Sequence, residues 1–169
     1  MSIRGKFWLF TLSLILFISA SARAQEMVGQ SGGRNVVEMK LVTIPSLPTC
    51  ALGSVQSGDP TKGPSVIFAK MPTGCSIPWH WHTPNEHLMI VSGVARLEMK
   101  DGKPLTLRGG GFALMPAHHV HQFRCARACQ LYIYSDVAFD IHYVNGKGKE
   151  LSPSEALKAV RETAATEMK

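Results

Sequence analysis

A chain of 169 residues with a formal charge of +6 can enclose one hydrophobic core but not two comfortable ones. Three of its cationic residues, Arg4, Lys6 and Arg23, fall near the start, and the other Lys and Arg residues are scattered. A nucleic-acid partner would require a basic stripe, so none is expected, and no fixed-period repeat suggests a solenoid or propeller.

Residues 1–6 are short and positively charged, 7–18 are apolar, and 19–24 are small apart from Arg23. Ala22-Arg23-Ala24 fits the small-x-small cleavage rule, which predicts removal of residues 1–24 as a signal peptide and a mature start at Gln25. The apolar run is shorter than the ~20 residues of a spanning helix. The expectation is an exported protein, periplasmic or secreted, with no stable membrane insertion after leader cleavage. Residues 25–35 are polar, contain Gly29, Gly32 and Gly33, and read as a flexible arm.

From Val36 onward, short β-rich runs alternate with turn residues. Strands are predicted at 36–44, 50–56, 65–71, 77–82, 86–91 and 94–100. Further strands are predicted at 105–107, 112–115, 119–125, 129–134 and 139–144. Along 94–100 the alternation sets Ala95, Leu97 and Met99 on one face and Val94, Arg96, Glu98 and Lys100 on the other. Many short strands between Gly and Pro turns predict an all-β sandwich or barrel over 36–150. Ser152-Pro153-Ser154-Glu155 reads as a capping box, which opens a C-terminal helix in 151–169.

Export favours disulfides for an even number of cysteines. Cys125 and Cys129 flank Ala126-Arg127-Ala128, read as a hairpin tip that sets them opposite each other on antiparallel strands. Cys50 and Cys75 are then left for each other. Four cysteines allow three pairings, and the sequence alone does not choose among them; four buried thiols are the alternative.

The segment 74–86 carries the chemistry. His80 and His82 stand two apart in an extended run, so both project from one face. A turn at Thr83-Pro84-Asn85 follows, and the next strand begins with Glu86. If Glu86 points inward, Leu88 and Ile90 do too, while His87 and Met89 point out. His121 on a later strand brings Phe123 and Cys125 inward, and the return strand adds Leu131 and Ile133. Three imidazoles and a carboxylate suit a divalent iron, manganese, nickel, copper or zinc. Four protein ligands on a six-coordinate ion leave two positions free, unlike a closed structural site. His119 shares the parity of His121 and is a candidate catalytic proton carrier, or else a rim residue. Trp79 and Trp81 face away from the ligands by the same parity.

Residues 74–93 match every fixed position of G-x5-H-x-H-x3-E-x6-G, and Gly110, Pro116 and His121 match a second motif, G-x5-P-x-G-x2-H-x3-N. On these motifs the chain resembles the cupin superfamily, in particular small single-domain bacterial cupins. Two positions depart from the second motif: His118 replaces a usual Gly, and Cys125 a usual Asn. A non-Gly residue tolerates positive φ less well, so this turn is where the resemblance is most open to test. The resemblance implies a double-stranded β-helix (jelly-roll) barrel with a metal near its mouth, often as a homodimer. It does not imply one reaction, because similar cupins include dioxygenases, isomerases, decarboxylases, lyases and sensors. The expectation is a small metalloenzyme, dioxygenase-like or using other metal-activated chemistry, acting on an oxygen-bearing small molecule. A non-catalytic metal or metabolite binder, or a barrel with a purely structural metal, are the alternatives.

Overall fold

β-branched and aromatic runs cut by Gly, Pro and Asp favour strands over helices. The computed structural model describes residues 32–158. The predicted leader, its cleavage after Ala24, most of the 25–35 arm and residues 159–169 lie outside the described residues. Ten strands form within them: β1 (Val42–Thr43), β2 (Leu52–Gly58), β3 (Ser65–Met71), β4 (Ser76–Trp81) and β5 (Glu86–Met99), then β6 (Leu105–Arg108), β7 (Phe112–Met115), β8 (His121–Ser135), β9 (His142–Val144) and β10 (Glu150–Leu151). They hydrogen-bond in the order β1-β2-β3-β8-β4-β9-β10, while β5 pairs with β6, β7 and β8. The pairings are antiparallel, and the result is the expected all-β jelly-roll barrel.

The predicted strands 65–71 and 112–115 coincide with β3 and β7. The run 36–44 does not form one strand. Val36–Glu38 makes a 3-10 turn, and only Val42–Thr43 pairs with β2. The cause is local, because the Asn35 amide donates to the Glu38 carboxylate and closes the turn.

A second correction concerns the two longest strands. Segments 86–91 and 94–100 are one strand, β5, and segments 119–125 and 129–134 fall on one strand, β8, which begins at His121. Each bends instead of breaking. The first half of β8 pairs with β4 and its second half with β3, while its ladder to β5 shifts register between Ile90 and Ala95. Gly93 makes this corner possible: its φ is 89°, and a Cβ there would lie 1.9 Å from the Ala128 carbonyl oxygen. Residues 126–128 are therefore a kink within β8. Cys-Ala-Arg-Ala-Cys contains none of the residues that reverse a chain tightly.

Disulfides join Cys50 to Cys75, with Cα atoms 5.9 Å apart, and Cys125 to Cys129, 5.7 Å apart. The second closes the β8 kink from within one strand and does not bridge a hairpin. Two disulfides are compatible with an exported protein.

The inward faces form the core: Leu88, Ile90, Ala95, Leu97, Phe123 and Leu131 are all buried. After β10 the capping box is realised, with the Ser152 amide donating to Glu155 and the Glu155 amide to the Ser152 hydroxyl. Residues 153–158 are helical. Ala156 is buried and Leu157 packs on the core, so this turn of helix docks on the barrel itself.

Candidate functional site

Three strand ends converge at one end of the barrel. β4 carries His80, with His82 just beyond its last residue; β5 starts with Glu86, and β8 starts with His121. His80 and His121 are partners in the β4–β8 ladder. None of the four exceeds 6% exposure. The His80 ring lies 4.3 Å from that of His121 and 4.8 Å from that of His82. One nitrogen from each of the three histidines lies within 4.8 Å of the others, so this trio can hold a metal ion. Glu86 stands beside the trio, its Oε2 3.3 Å from His121 Nε2 and 3.6 Å from His82 Nε2.

The backbone fixes which nitrogen each imidazole presents. Nδ1 of His80 donates to the Pro78 carbonyl at 2.6 Å, and Nδ1 of His121 to the His119 carbonyl at 2.8 Å. Nδ1 of His82 donates to the Asp140 carbonyl. A carbonyl only accepts, so each Nδ1 carries the proton and each neutral ring is left with a lone pair on Nε2. Burial, reinforced by His121 and His82 nearby, holds His80 well below its usual protonation range. Burial likewise lowers His82, against the pull of Glu86 and of the Asp140 carbonyl. For Glu86, burial pushes the carboxyl up, but His82 and His121 together outweigh it and keep it below its usual value.

This arrangement fits a metal. Nε2 of His82 is buried without a hydrogen-bond partner, and the Glu86 carboxylate is drawn to His82 and His121 only when a cation, either a ring proton or a metal ion, stands between them. Imidazole and carboxylate ligands each ~2.1 Å from one ion stand roughly 3–3.5 Å apart, close to the separations of Glu86 from His121 and His82. Carbonyl acceptors on the far ring nitrogens are the usual partners of ligating histidines.

The surrounding loops clip the ligand strands in place. The His118 amide donates to the His82 carbonyl at 2.8 Å, and the Ala117 amide to Asn85 Oδ1 at 2.9 Å. His118 has a φ of 61°, the only positive φ outside glycine among the described residues. The turn thus keeps its left-handed conformation despite the missing Gly, and the His118 ring rests against Trp81 at 4.8 Å. Trp81 also stacks on His142 at 3.9 Å, outside the cavity.

Strand parity places the other candidates. Leu88, Phe123, Leu131 and Ile133 line the same cavity as the four polar residues. His87 points away, toward Tyr134 and Phe112. His119 precedes β8 and does not line the cavity; its carbonyl, not its ring, serves the site by holding His121. Sequence reasoning missed Phe139 and Asp140, assigned to a strand that begins only at His142. Phe139 stacks on the His82 ring at 4.4 Å. Asp140 anchors His82 through its carbonyl and accepts from the Thr83 amide through Oδ1 at 2.8 Å.

The family model for the cupin domain matches residues 67–134, the stretch that holds all four of these residues. The barrel is a cupin domain. Its fold is shared with the polyketide cyclase RemF of Streptomyces resistomycificus, with a TM-score of 0.62 and 13% identity over 78% of this chain and 99% of that one. An RmlC-like cupin from Shewanella frigidimarina gives 0.53 at 14% identity, over 63% of this chain and 91% of its own. The DMSP lyase DddQ from Ruegeria pomeroyi gives 0.52 at 18% identity, over 59% of this cupin and 57% of its own length. At such identities the likeness extends to the fold alone. No curated protein matches this sequence.

Proposed function

We propose that this cupin holds one divalent transition metal (iron, manganese, nickel, copper or zinc) through His80, His82, Glu86 and His121. On this reading it is an exported metalloenzyme acting on an oxygen-bearing small molecule, dioxygenase-like or with other metal-activated chemistry. The observation that carries the reading is the partnerless, buried Nε2 of His82, set in a trio of lone pairs that faces a carboxylate. When bound, such a metal supplies Lewis-acid or redox activation of a coordinated oxygen ligand. The chain's own residues hold and orient: three carbonyls fix the imidazoles, and the apolar walls keep bulk water from the floor.

Elemental analysis of natively purified protein, repeated on His82→Ala, tests the ligand set. The expected result is about one equivalent of transition metal in the parent and a large loss in the variant; full retention in His82→Ala overturns it. A second reading, metabolite binding without turnover, is favoured by the cavity lining. Beyond the four proposed ligands, Asp140 is the only ionisable side chain there among the described residues. Incubation of metal-loaded protein with a catechol separates the two: dioxygen consumption supports the enzyme, and stoichiometric binding without product supports the binder.

A further inference from the structure

We propose that the cavity selects an uncharged, largely apolar molecule that carries adjacent oxygens at one end and enters with that end first. The oxygen end rests on the metal reading above. The apolar body rests on the walls alone.

The cavity encloses about 340 Å³, at the lower end of the range for small-molecule sites. Its floor is polar and its walls are not. Ile67, Ala69 and Met71 come from the inward face of β3, and Leu131 and Ile133 from β8. Phe139, stacked on His82, and Ile141 complete the apolar lining. Among the described residues lining it there is no Lys and no Arg; Glu86 brings its carboxylate to the floor, while that of Asp140 is turned to the Thr83 amide and His142. An anionic body would leave water for apolar walls, meet the Glu86 carboxylate, and find no side-chain cation away from the floor. A sugar fares little better. Among the described residues, Ser46, Ser54 and Thr61 are the only hydroxyl side chains in the lining, and a buried ligand hydroxyl without a partner forfeits its hydration.

The direction of entry follows from exposure. Val42 and Val55 line the cavity yet are 47% and 44% exposed, so β1 and β2 form an apolar lip. The three histidines are 4% exposed or less and lie at the deep end. A ligand that reaches them passes apolar side chains first and leaves its own apolar body against those walls.

The test uses the full chain with its metal content measured, and a matched pair of probes: 4-tert-butylcatechol and 3,4-dihydroxybenzoate. Both present the same two adjacent oxygens; one body is apolar and the other anionic. Calorimetric titration is expected to give at least tenfold tighter binding of tert-butylcatechol, and equal or tighter binding of dihydroxybenzoate overturns the proposal. Metal-stripped protein is titrated in parallel with tert-butylbenzene, which has no oxygen, while methyl signals of Ile67, Leu131 and Ile133 are followed by NMR. Shifted signals support the apolar body whatever the metal does, and unmoved signals overturn it. If tert-butylbenzene binds but metal adds nothing to the catechol affinity, the apolar selection stands and the metal reading fails. Ala69→Leu, which fills the cavity from β3, is expected to weaken both apolar probes about tenfold with metal content retained. Unchanged affinity in that variant overturns the assignment, and the wild-type comparison decides the matter if the variant does not fold.

Discussion

The floor and the mouth of the cavity are built on opposite plans. At the floor, the long β5–β8 ladder meets the shorter β4–β8 one, and three buried histidines are each tied by Nδ1 to a backbone carbonyl. At the mouth, β1 is two residues long and its Val42 stands half exposed. What holds the mouth segment is a pair of staples: the Cys50–Cys75 disulfide, and the Tyr143 hydroxyl donating to the Ser46 carbonyl at 2.8 Å. Side chains set by a ladder cannot shift without breaking several backbone bonds, whereas a stapled loop can move between its staples. The floor is therefore suited to fixed coordination and the mouth to admitting ligands of varied shape.

The comparison breaks hardest at His121, 1% exposed and 3.3 Å from Glu86. His121→Ala is expected to lose its metal and, by leaving Glu86 buried without that partner, to destabilise the fold by roughly 3–5 kcal/mol. Elemental analysis and urea denaturation check both parts. Val42→Ala at the lip should change stability by less than about 1 kcal/mol; comparable losses would mean that floor and mouth are not distinct.

Removal of the mouth staple comes next. Cys50→Ser/Cys75→Ser opens a loop of sequence separation 25, which should cost about 2–4 kcal/mol. Metal content should stay at the parent level, because the staple touches no proposed ligand. Loss of metal from this variant would show that the mouth segment supports the floor.

A smaller effect separates the two regions by pH. Burial holds His80 well below its usual value and also lowers His82, whereas both titrate near ~6.5 in an unfolded chain. Below that pH the unfolded state binds protons that the folded state refuses. Their contribution is thus complete above ~6.5 and is lost as pH falls toward the folded values, by up to about 1.4 kcal/mol per pH unit for each ring. Glu86, lowered in the fold despite its burial, acts in the same sense, its contribution being lost further down as pH falls through its folded value. Denaturation of metal-stripped protein at pH 7.5 and 5.5 should reveal this loss, and a flat profile would contradict the burial of neutral imidazoles.

How much of this was legible in the sequence depends on whether side chain or backbone does the work. Period-two alternation alone put His80, His82, Glu86 and His121 on inward faces and gathered Leu88, Phe123 and Ile133 around them, as the cavity lining bears out. The three anchoring carbonyls were invisible, since every residue has one; only the fold could reveal that Pro78, His119 and Asp140 supply them. The kink at 126–128 was misread for a related reason. A pair of cysteines four apart fits a hairpin tip or a puckered strand equally well, and what decides is the close approach of Gly93 to Ala128, a contact between residues distant in sequence.

His87 provides the smallest and sharpest test of that parity. It sits one residue after Glu86, and a single-residue register slip would exchange the two between cavity and outer face. On the outer face its ring meets Tyr134 at 5.4 Å, and its Nδ1 is buried without a partner. His87→Leu removes that unsatisfied nitrogen and keeps much of the packing, so stability should change by less than about 1 kcal/mol, in either direction. Metal content should be unaffected, in contrast to the loss expected for His82→Ala at a neighbouring inward position. Depletion of metal in His87→Leu, measured beside a parent of equal purity, would mean that β5 presents the opposite face to the floor. The proposed ligand set would fall with it.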